Sequence, residues 1–325
     1  MTNPISKFFD RLRKRRKRDT LLQRHLTDLA ERTLFLQGQI AAKAIDPSKK
    51  LGRLSDAEFR VFSQWGEDGI VEWLVAQLGG ISDRFVEFGV ETFKEANCRF
   101  LLENRNWKGL VIDGSEANMR AMRDASFYWM RDITGVAAFV TAENINALIT
   151  DAGFAGDLGI LSVDIDGNDY WVWKAIDCVN PAIVICEVNP ALGDIHPITV
   201  PYDPAFWRFN AHESGVYFGA SIAALSHLAE KKGYTFVGTS STGINAFFVR
   251  DDLAATVLGK LHNVVAHPIR HRDSRGADGR LTYTGGMARY DLIAHLPVVN
   301  VVTGETKILR DMGTPYSPEW LKVIA

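Results

Sequence analysis

The sequence predicts an α/β fold built on a doubly wound sheet of seven strands, with a helical extension before it and a C-terminal subdomain after it. Three observations predict it. Apolar runs of strand length alternate with stretches of helical periodicity, the pattern that builds parallel sheets. Four of those runs carry an acid at or near their end, at Glu87, Asp113, Asp164 and Glu187. The series closes on two further runs, 234–238 and 244–250, joined by a Ser-Ser-Thr-Gly turn that reads as a hairpin.

Taken in order, residues 1–50 are expected to form an extension of one or two amphipathic helices. Leu21, Leu22, Leu26, Leu29, Leu34 and Leu36 recur at roughly helical spacing behind a basic run from Lys7 to Arg18 with Phe8, Phe9 and Leu12 interleaved. Such a segment suits either self-association or peripheral contact with an anionic membrane surface, where each basic residue adds about 1 kcal/mol. Asp46-Pro47-Ser48 to Gly52 reads as a linker. The core is expected over 51–255. A helix carries Ile70, Val71, Leu74, Val75 and Leu78 on one face and ends at Gly79-Gly80. Strands are expected at 84–90 and 109–113, with a helix between them that turns Cys98, Leu101 and Leu102 inward, and a third strand at 136–140.

The fourth strand, 158–163, runs into Asp164-Ile165-Asp166-Gly167-Asn168-Asp169, and the fifth runs from Ala182 to Glu187. If the extended geometry persists, Asp164 and Asp166, two apart, share a face; an Asx turn capping the next helix accounts for Asn168 and Asp169. Residues 190–220 are irregular and read as an insertion over the strand ends. Ser221 begins a helix that ends at Gly233. Beyond 256, periodicity weakens into an accessory segment, with a mobile loop expected at 270–286 and an edge strand at 298–302.

Composition bounds the function. The 325 residues are 46% hydrophobic and 23% charged, with a net charge of −2, which gives no global reason to expect nucleic acid. Cys98, Cys178 and Cys186 form no CxxC pair and are expected reduced, hence a cytoplasmic protein with neither a disulfide framework nor a zinc site. The N-terminus has no signal-peptide core, and no apolar run is long enough to span a bilayer.

The strand-end acids point to a nucleotide-like ligand. Asp113 lies 24 residues past Gly89, the spacing of a carboxylate that accepts hydrogen bonds from a ribose. A second glycine after Gly89 is absent, which disfavours a dinucleotide and an NAD-dependent oxidoreductase; no Walker A sequence occurs, which disfavours an ATPase. A ligand with ribose and adenine but no phosphates fits, and S-adenosylmethionine is one. Glu87 would serve its ammonium and Gly89 would allow close backbone approach.

The segments 85–89, 107–115, 161–169 and 243–249 resemble class I methyltransferases of the FkbM type, in the right order and over roughly residues 60–250. The resemblance implies a Rossmann-like seven-stranded sheet, S-adenosylmethionine as cofactor, and O-methylation of a sugar or related hydroxyl. The expected cofactor site comprises Gln64, Glu87, Gly89, Asn97, Asp113, Ser115 and Asp164. Asp164, Asp166, Glu187 and Asn189 offer hard oxygen ligands for Mg²⁺ or Mn²⁺, and a divalent metal would lower the pKa of the acceptor hydroxyl. His196, seven residues past Asn189 in the insertion, is the expected base, with Asp166 on the acceptor side; His212 and His227 are rivals, His227 reading as structural. The acceptor expected is a sugar, a nucleotide sugar or a lipid-linked glycan. The competing reading is a non-catalytic scaffold that keeps the fold and uses residues 1–50 for assembly.

Overall fold

The structure, a computed structural model, describes residues 4–324, with side chains from Arg18 onward apart from those of residues 19–21 and 24. The chain divides into two units, Met1–Ile45 and Asp46–Ala325. The first is one continuous helix, Pro4–Ala44, rather than two. The side chains of the basic run at 7–17, with Phe8, Phe9 and Leu12, lie outside the described residues.

The second unit is built on ten strands: β1 Arg84–Phe88, β2 Lys108–Asp113, β3 Ile133–Ala137, β4 Gly156–Val163, β5 Val179–Glu187, β6 Ile198–Thr199, β7 Tyr234–Thr239, β8 Asn245–Arg250, β9 Pro297–Asn300 and β10 Thr306–Ile308. Seven form a Rossmann-like sheet in the order β3-β2-β1-β4-β5-β8-β7. All neighbours in it are parallel except β8, which runs antiparallel to both β5 and β7. Helix Glu67–Leu78 leads into β1, and helices Arg99–Arg105, Glu116–Arg123, Ile145–Asp151, Asp169–Ala175 and Ile222–Lys232 lie between successive strands. The last begins at Ser221, whose side chain accepts from Ala224 N, and ends at Gly233 in the left-handed region, as the sequence indicates.

The order of the strands reverses at β1. Connections lead from β1 out to β2 and β3 on one side and back to β4 and β5 on the other, which makes the β1–β4 edge the switch point where open α/β sheets bind ligands. The register is even there: Phe88 lies opposite both Ile112 and Val163, and Val163 lies opposite Cys186. Gly89, Asp113, Asp164 and Glu187 therefore emerge together at one edge of the sheet. Behind them the core is apolar: Val86, Phe88, Ile112, Leu161, Val163, Val184, Cys186, Trp173 and Phe248 are buried together.

Three elements differ from the sequence reading. The third strand starts three residues earlier, at Ile133, because pairing with β2 is fixed by Gly109 opposite Ile133 rather than by the more apolar run downstream. Val298–Val302 is not an edge: β9 is the middle strand of a second, three-stranded sheet, β10-β9-β6, with β6 supplied by the 190–220 insertion. The segment 270–286, expected as mobile, is tied down. Arg275 N donates to Ser214 O at 3.0 Å, Thr282 N to Ser274 O at 2.8 Å, and Thr284 N to Ser274 Oγ at 2.8 Å. Tyr290, Ile293, Tyr316, Trp320 and Ile324 join the same core as the large sheet, so the last 70 residues and the insertion pack as one layer over it.

Candidate functional site

Two cavities open at the switch point. One of about 390 Å³ lies over β1, β2 and β3, lined by Asp113, Ser115, Asn118, Ile112, Phe139, Val140, Phe206 and Trp207. The other, about 410 Å³, lies over β1, β4 and β5, lined by Gln64, Trp65, Glu87, Asn97, Glu187, Arg208, Phe218, His271 and Asp273. Gly89, Glu91, Asp164 and Asp166 line both. The first is walled on the far side from the shared residues by apolar and aromatic side chains around the Asp113 carboxylate; the second is dominated by acids.

The two meet because the chain turns sharply after β1 and β4. Gly89 has φ +72°, and a Cβ there would fall 1.7 Å from the Asp164 carbonyl oxygen. The glycine is demanded first by the approach of one backbone to another, rather than by the ligand alone. After Val163 the strand geometry stops: Asp166 sits at φ +56°. That turn ends the alternation of side chains, so the period of a strand no longer relates Asp164 to Asp166, although both line the two cavities. Gly167 admits the ring of Phe206, which a Cβ would meet at 2.3 Å.

Asp113 takes up its expected place, but its carboxylate is already in use. Oδ1 accepts from Ser115 N at 2.8 Å and Asn118 Nδ2 at 3.1 Å, and Oδ2 accepts from Glu91 N at 2.8 Å. It braces the loop after β1 and still faces the cavity. Ser115 caps the helix Glu116–Arg123 by accepting from Asn118 N. Glu87 lines the acidic cavity, and its oxygens also accept from Asn97 N at 2.7 Å and Cys98 N at 3.1 Å, so it anchors the start of helix Arg99–Arg105 as well. Burial pushes its pKa up to about 7 against the pull of those donors. Asn97 donates from Nδ2 to Ser162 Oγ at 3.2 Å, and Gln64 lines the acidic cavity.

The acidic group is reassigned. Asp164, Asp169 and Glu187 each offer a carboxylate oxygen within 4.8 Å of the others. Asp166 is not among them, because it pairs with the Arg208 guanidinium. Nor is Asn189: its amide donates to Val216 O and Phe218 O, both at 2.8 Å, and accepts from Ala191 N, which pins the insertion to the end of β5. Asp169 enters instead, held by Ile165 N at 2.8 Å and Gly167 N at 2.9 Å. Its role as a turn brace was legible in the sequence; its place in the triad was not.

Burial, then the neighbouring carboxylates Asp166 and Asp169, push Asp164 well above the usual carboxylate range. Burial and then Asp164 do the same to Glu187, and burial lifts Asp169 to about 6. Glu187 Oε2 is buried with no hydrogen-bond partner. An unpaired buried oxygen facing two more carboxylates suits a hard cation that binds through oxygen, as Mg²⁺ and Mn²⁺ do. The donor set fits such an ion.

The histidines are also redistributed. His196 lines neither cavity. The chain turns back at it, with Ile198 N and Ser221 Oγ both donating to its carbonyl, and its buried Nε2 has no partner. His212 bonds Ser214 Oγ at 2.7 Å and likewise lies outside both cavities, while His227 is on helix Ile222–Lys232. The imidazole in the cavity wall is His271, 3.1 Å through Nε2 from Asp273 and stacked on Trp65 at 6.1 Å. Burial alone would raise the Asp273 pKa, but His271, Arg289 and Arg208 outweigh it and hold the carboxyl below the usual range. Arg208, His271 and Asp273 come from stretches without helical or strand period. The His271-Arg272-Asp273 spacing, which puts two polar side chains on one side of an extended segment, was the signal that could have found His271 and Asp273; Arg208 has no such signal.

No protein-family model matches the chain, and no curated protein matches it. Solved structures align with part of it at low identity. They include the pyocyanin biosynthetic protein PhzM (10% identity, TM-score 0.33, 54% of this chain and 53% of that one), so the matched part is about half the length of PhzM. The N-terminal domain of EvdMO1 with SAH bound is 12% identical over 58% of this chain and 80% of that one, with TM-score 0.37. An S-adenosylmethionine-dependent methyltransferase from Mesorhizobium loti is 13% identical over 57% of this chain and all of that one, with TM-score 0.34. At these values the likeness carries no argument, and the case for an activity comes from the fold and the site themselves.

Proposed function

We propose that this chain is an S-adenosylmethionine-dependent methyltransferase of the FkbM type that methylates a sugar hydroxyl. The observation that carries the reading is the pair of cavities meeting at Gly89, Asp164 and Asp166. An apolar cavity with a strand-end carboxylate suits an adenosine, and an adjoining acidic cavity suits a cationic sulfonium and ammonium beside an acceptor. In this reading Asp113 takes the ribose, Ile112, Phe139 and Val140 enclose the adenine, and Gln64, Glu87 and Asn97 lie at the methionine end.

Carboxylates that accept hydrogen bonds from hydroxyls, next to the half-exposed face of Trp65, support a carbohydrate acceptor. The chain's residues hold the acceptor oxygen in line with the methyl carbon. A carbon–oxygen bond forms as the carbon–sulfur bond breaks, the electron pair goes to sulfur, and S-adenosylhomocysteine leaves. We assign Asp166, on the cavity wall and outside the triad, to receive the hydroxyl proton. Asp164, Asp169 and Glu187 would hold a divalent cation, which when bound polarises the hydroxyl as a Lewis acid. Nucleotide sugars and lipid-linked glycans are the acceptors to examine first, in the cytoplasm or at its membrane face. Among the described residues no helix is long and apolar enough to cross a membrane.

The test is transfer of labelled methyl from S-adenosylmethionine to a panel of sugars, sugar nucleotides and lipid-linked glycans. Metal-stripped protein is compared with protein given Mg²⁺ or Mn²⁺. The expected result is alkali-stable label on a sugar oxygen that falls on chelation and returns with the cation. Transfer only to amines or thiols would overturn the sugar reading; full transfer in chelator would overturn the metal assignment. Binding of S-adenosylmethionine with no transfer to any acceptor would favour a scaffold.

A further inference from the structure

The helix Pro4–Ala44 carries a row that nothing in its own unit covers. Leu22, Leu26, Leu29, Thr33, Leu36 and Ile40 succeed one another at intervals of four and three residues. That is the 3.5-residue repeat of a coiled-coil seam, which an isolated helix has no use for. The five apolar members are each 54% to 61% exposed. Thr33 turns its hydroxyl back onto the Leu29 carbonyl at 2.9 Å, leaving its methyl on the row. Contiguous exposed apolar surface of this kind marks an interaction site.

We propose that a second copy of this chain pairs along this row, so that the protein self-associates through a short two-helix coiled coil. Charge favours that occupant. The positions flanking the row are Gln23, His25, Ala30, Arg32, Gln37 and Gln39, and the one full charge, Arg32, is paired with Asp28 at 3.1 Å within its own helix. In a parallel pair His25 faces Ala30 and Arg32 faces Gln37 of the other copy, so no like charges oppose one another across the seam, whereas an antiparallel pair would set Arg32 against itself; the parallel arrangement is the one proposed. A helix that lies on an anionic membrane borders its apolar face with Lys and Arg. From 22 to 40, Arg24 and Arg32 are balanced by Asp28 and Glu31. Area agrees as well. Ten such side chains, five from each copy, bring together on the order of 1,000 Å² with the helix stems, the lower end of what a specific pair needs. The expected dimer is weak, dissociating at about micromolar concentration.

Sedimentation velocity of the full chain, over a hundredfold range of concentration, tests this. Wild type is expected to pass from monomer to dimer as concentration rises. Leu29→Asp with Leu36→Asp is expected to stay monomeric, and Thr27→Asp, off the row, to dimerise like wild type. Circular dichroism and a thermal melt establish that each variant remains folded. Should Asp unfold the helix, Leu29→Ala with Leu36→Ala, which keeps helix propensity, is expected to weaken the dimer at least tenfold. Wild type that stays monomeric throughout, or a dimer that survives both double variants, overturns the proposal. So does a monomer that sediments with phosphatidylserine vesicles, which would give the row to a membrane.

Discussion

Asp68 shows how one residue is loaded by its surroundings. Its Oδ2 accepts from the backbone N–H groups of Val61, Phe62 and Ser63 and from the Ser63 hydroxyl, at 2.7 to 2.9 Å, while its Oδ1 is buried with no partner. Burial outweighs the donors and raises its pKa from 3.8 to about 6. The folded state therefore binds the proton more tightly than the unfolded chain. The stability this contributes is complete below pH 3.8 and is lost as pH rises through about 6, a difference of about 3 kcal/mol. Denaturant unfolding across that window is expected to show the decline, and Asp68→Asn to remove that part of it. An unchanged slope in the variant would show that Asp68 does not titrate there. Asp113 is loaded differently, with three donors on one carboxylate. Asp113→Ala is expected to weaken S-adenosylhomocysteine by about 1.5–3 kcal/mol, through the lost ribose partner and the freed Glu91 loop. A folded variant with wild-type affinity would confine Asp113 to bracing.

At the scale of elements, the crossing of the β1 and β4 ends is the feature on which the site depends. Gly89→Ala would meet the Asp164 carbonyl and occupy a left-handed φ. It is expected to cost about 2 kcal/mol or more in urea unfolding, and equal midpoints would contradict the crossing. The strands themselves were legible because a buried parallel strand needs a largely apolar run, and β1, β2, β4 and β5 have one, broken only by Glu87 in β1 and Ser162 in β4. Asp113, Gly89 and Asp164 were legible for the same reason, since each sits where such a run stops. Residues beyond the end of a run were harder to place. Period-two reasoning carried Asp166 onto the face of Asp164, and one left-handed residue broke it. Asn189 reads as an oxygen ligand from its position and serves as a clamp on the insertion. Asp273, which holds His271, is itself fixed by Arg289 and Arg208, partners distant in sequence that leave no local pattern.

For the whole molecule, the insertion and the last 70 residues close one side of the acidic cavity through Arg208, Phe218, His271 and Asp273, while the sheet supplies the carboxylates from below. That division separates the carboxylates that would carry the chemistry from the wall that would select an acceptor. The triad makes one claim that needs no acceptor. Mn²⁺ titrated by electron paramagnetic resonance is expected to bind wild type, and Glu187→Gln to lose at least tenfold in affinity while circular dichroism is unchanged. Equal binding by both proteins would remove Glu187 from the ligand set.

The central claim is that the switch point between β1 and β4 is built for S-adenosylmethionine. Calorimetric titration of the full chain with S-adenosylhomocysteine, with NAD⁺ titrated in parallel, tests it without knowledge of the acceptor. One-to-one binding of S-adenosylhomocysteine at about micromolar affinity, with no heat from NAD⁺, is the expected result. Protein that is folded, binds NAD⁺ and ignores S-adenosylhomocysteine would contradict it.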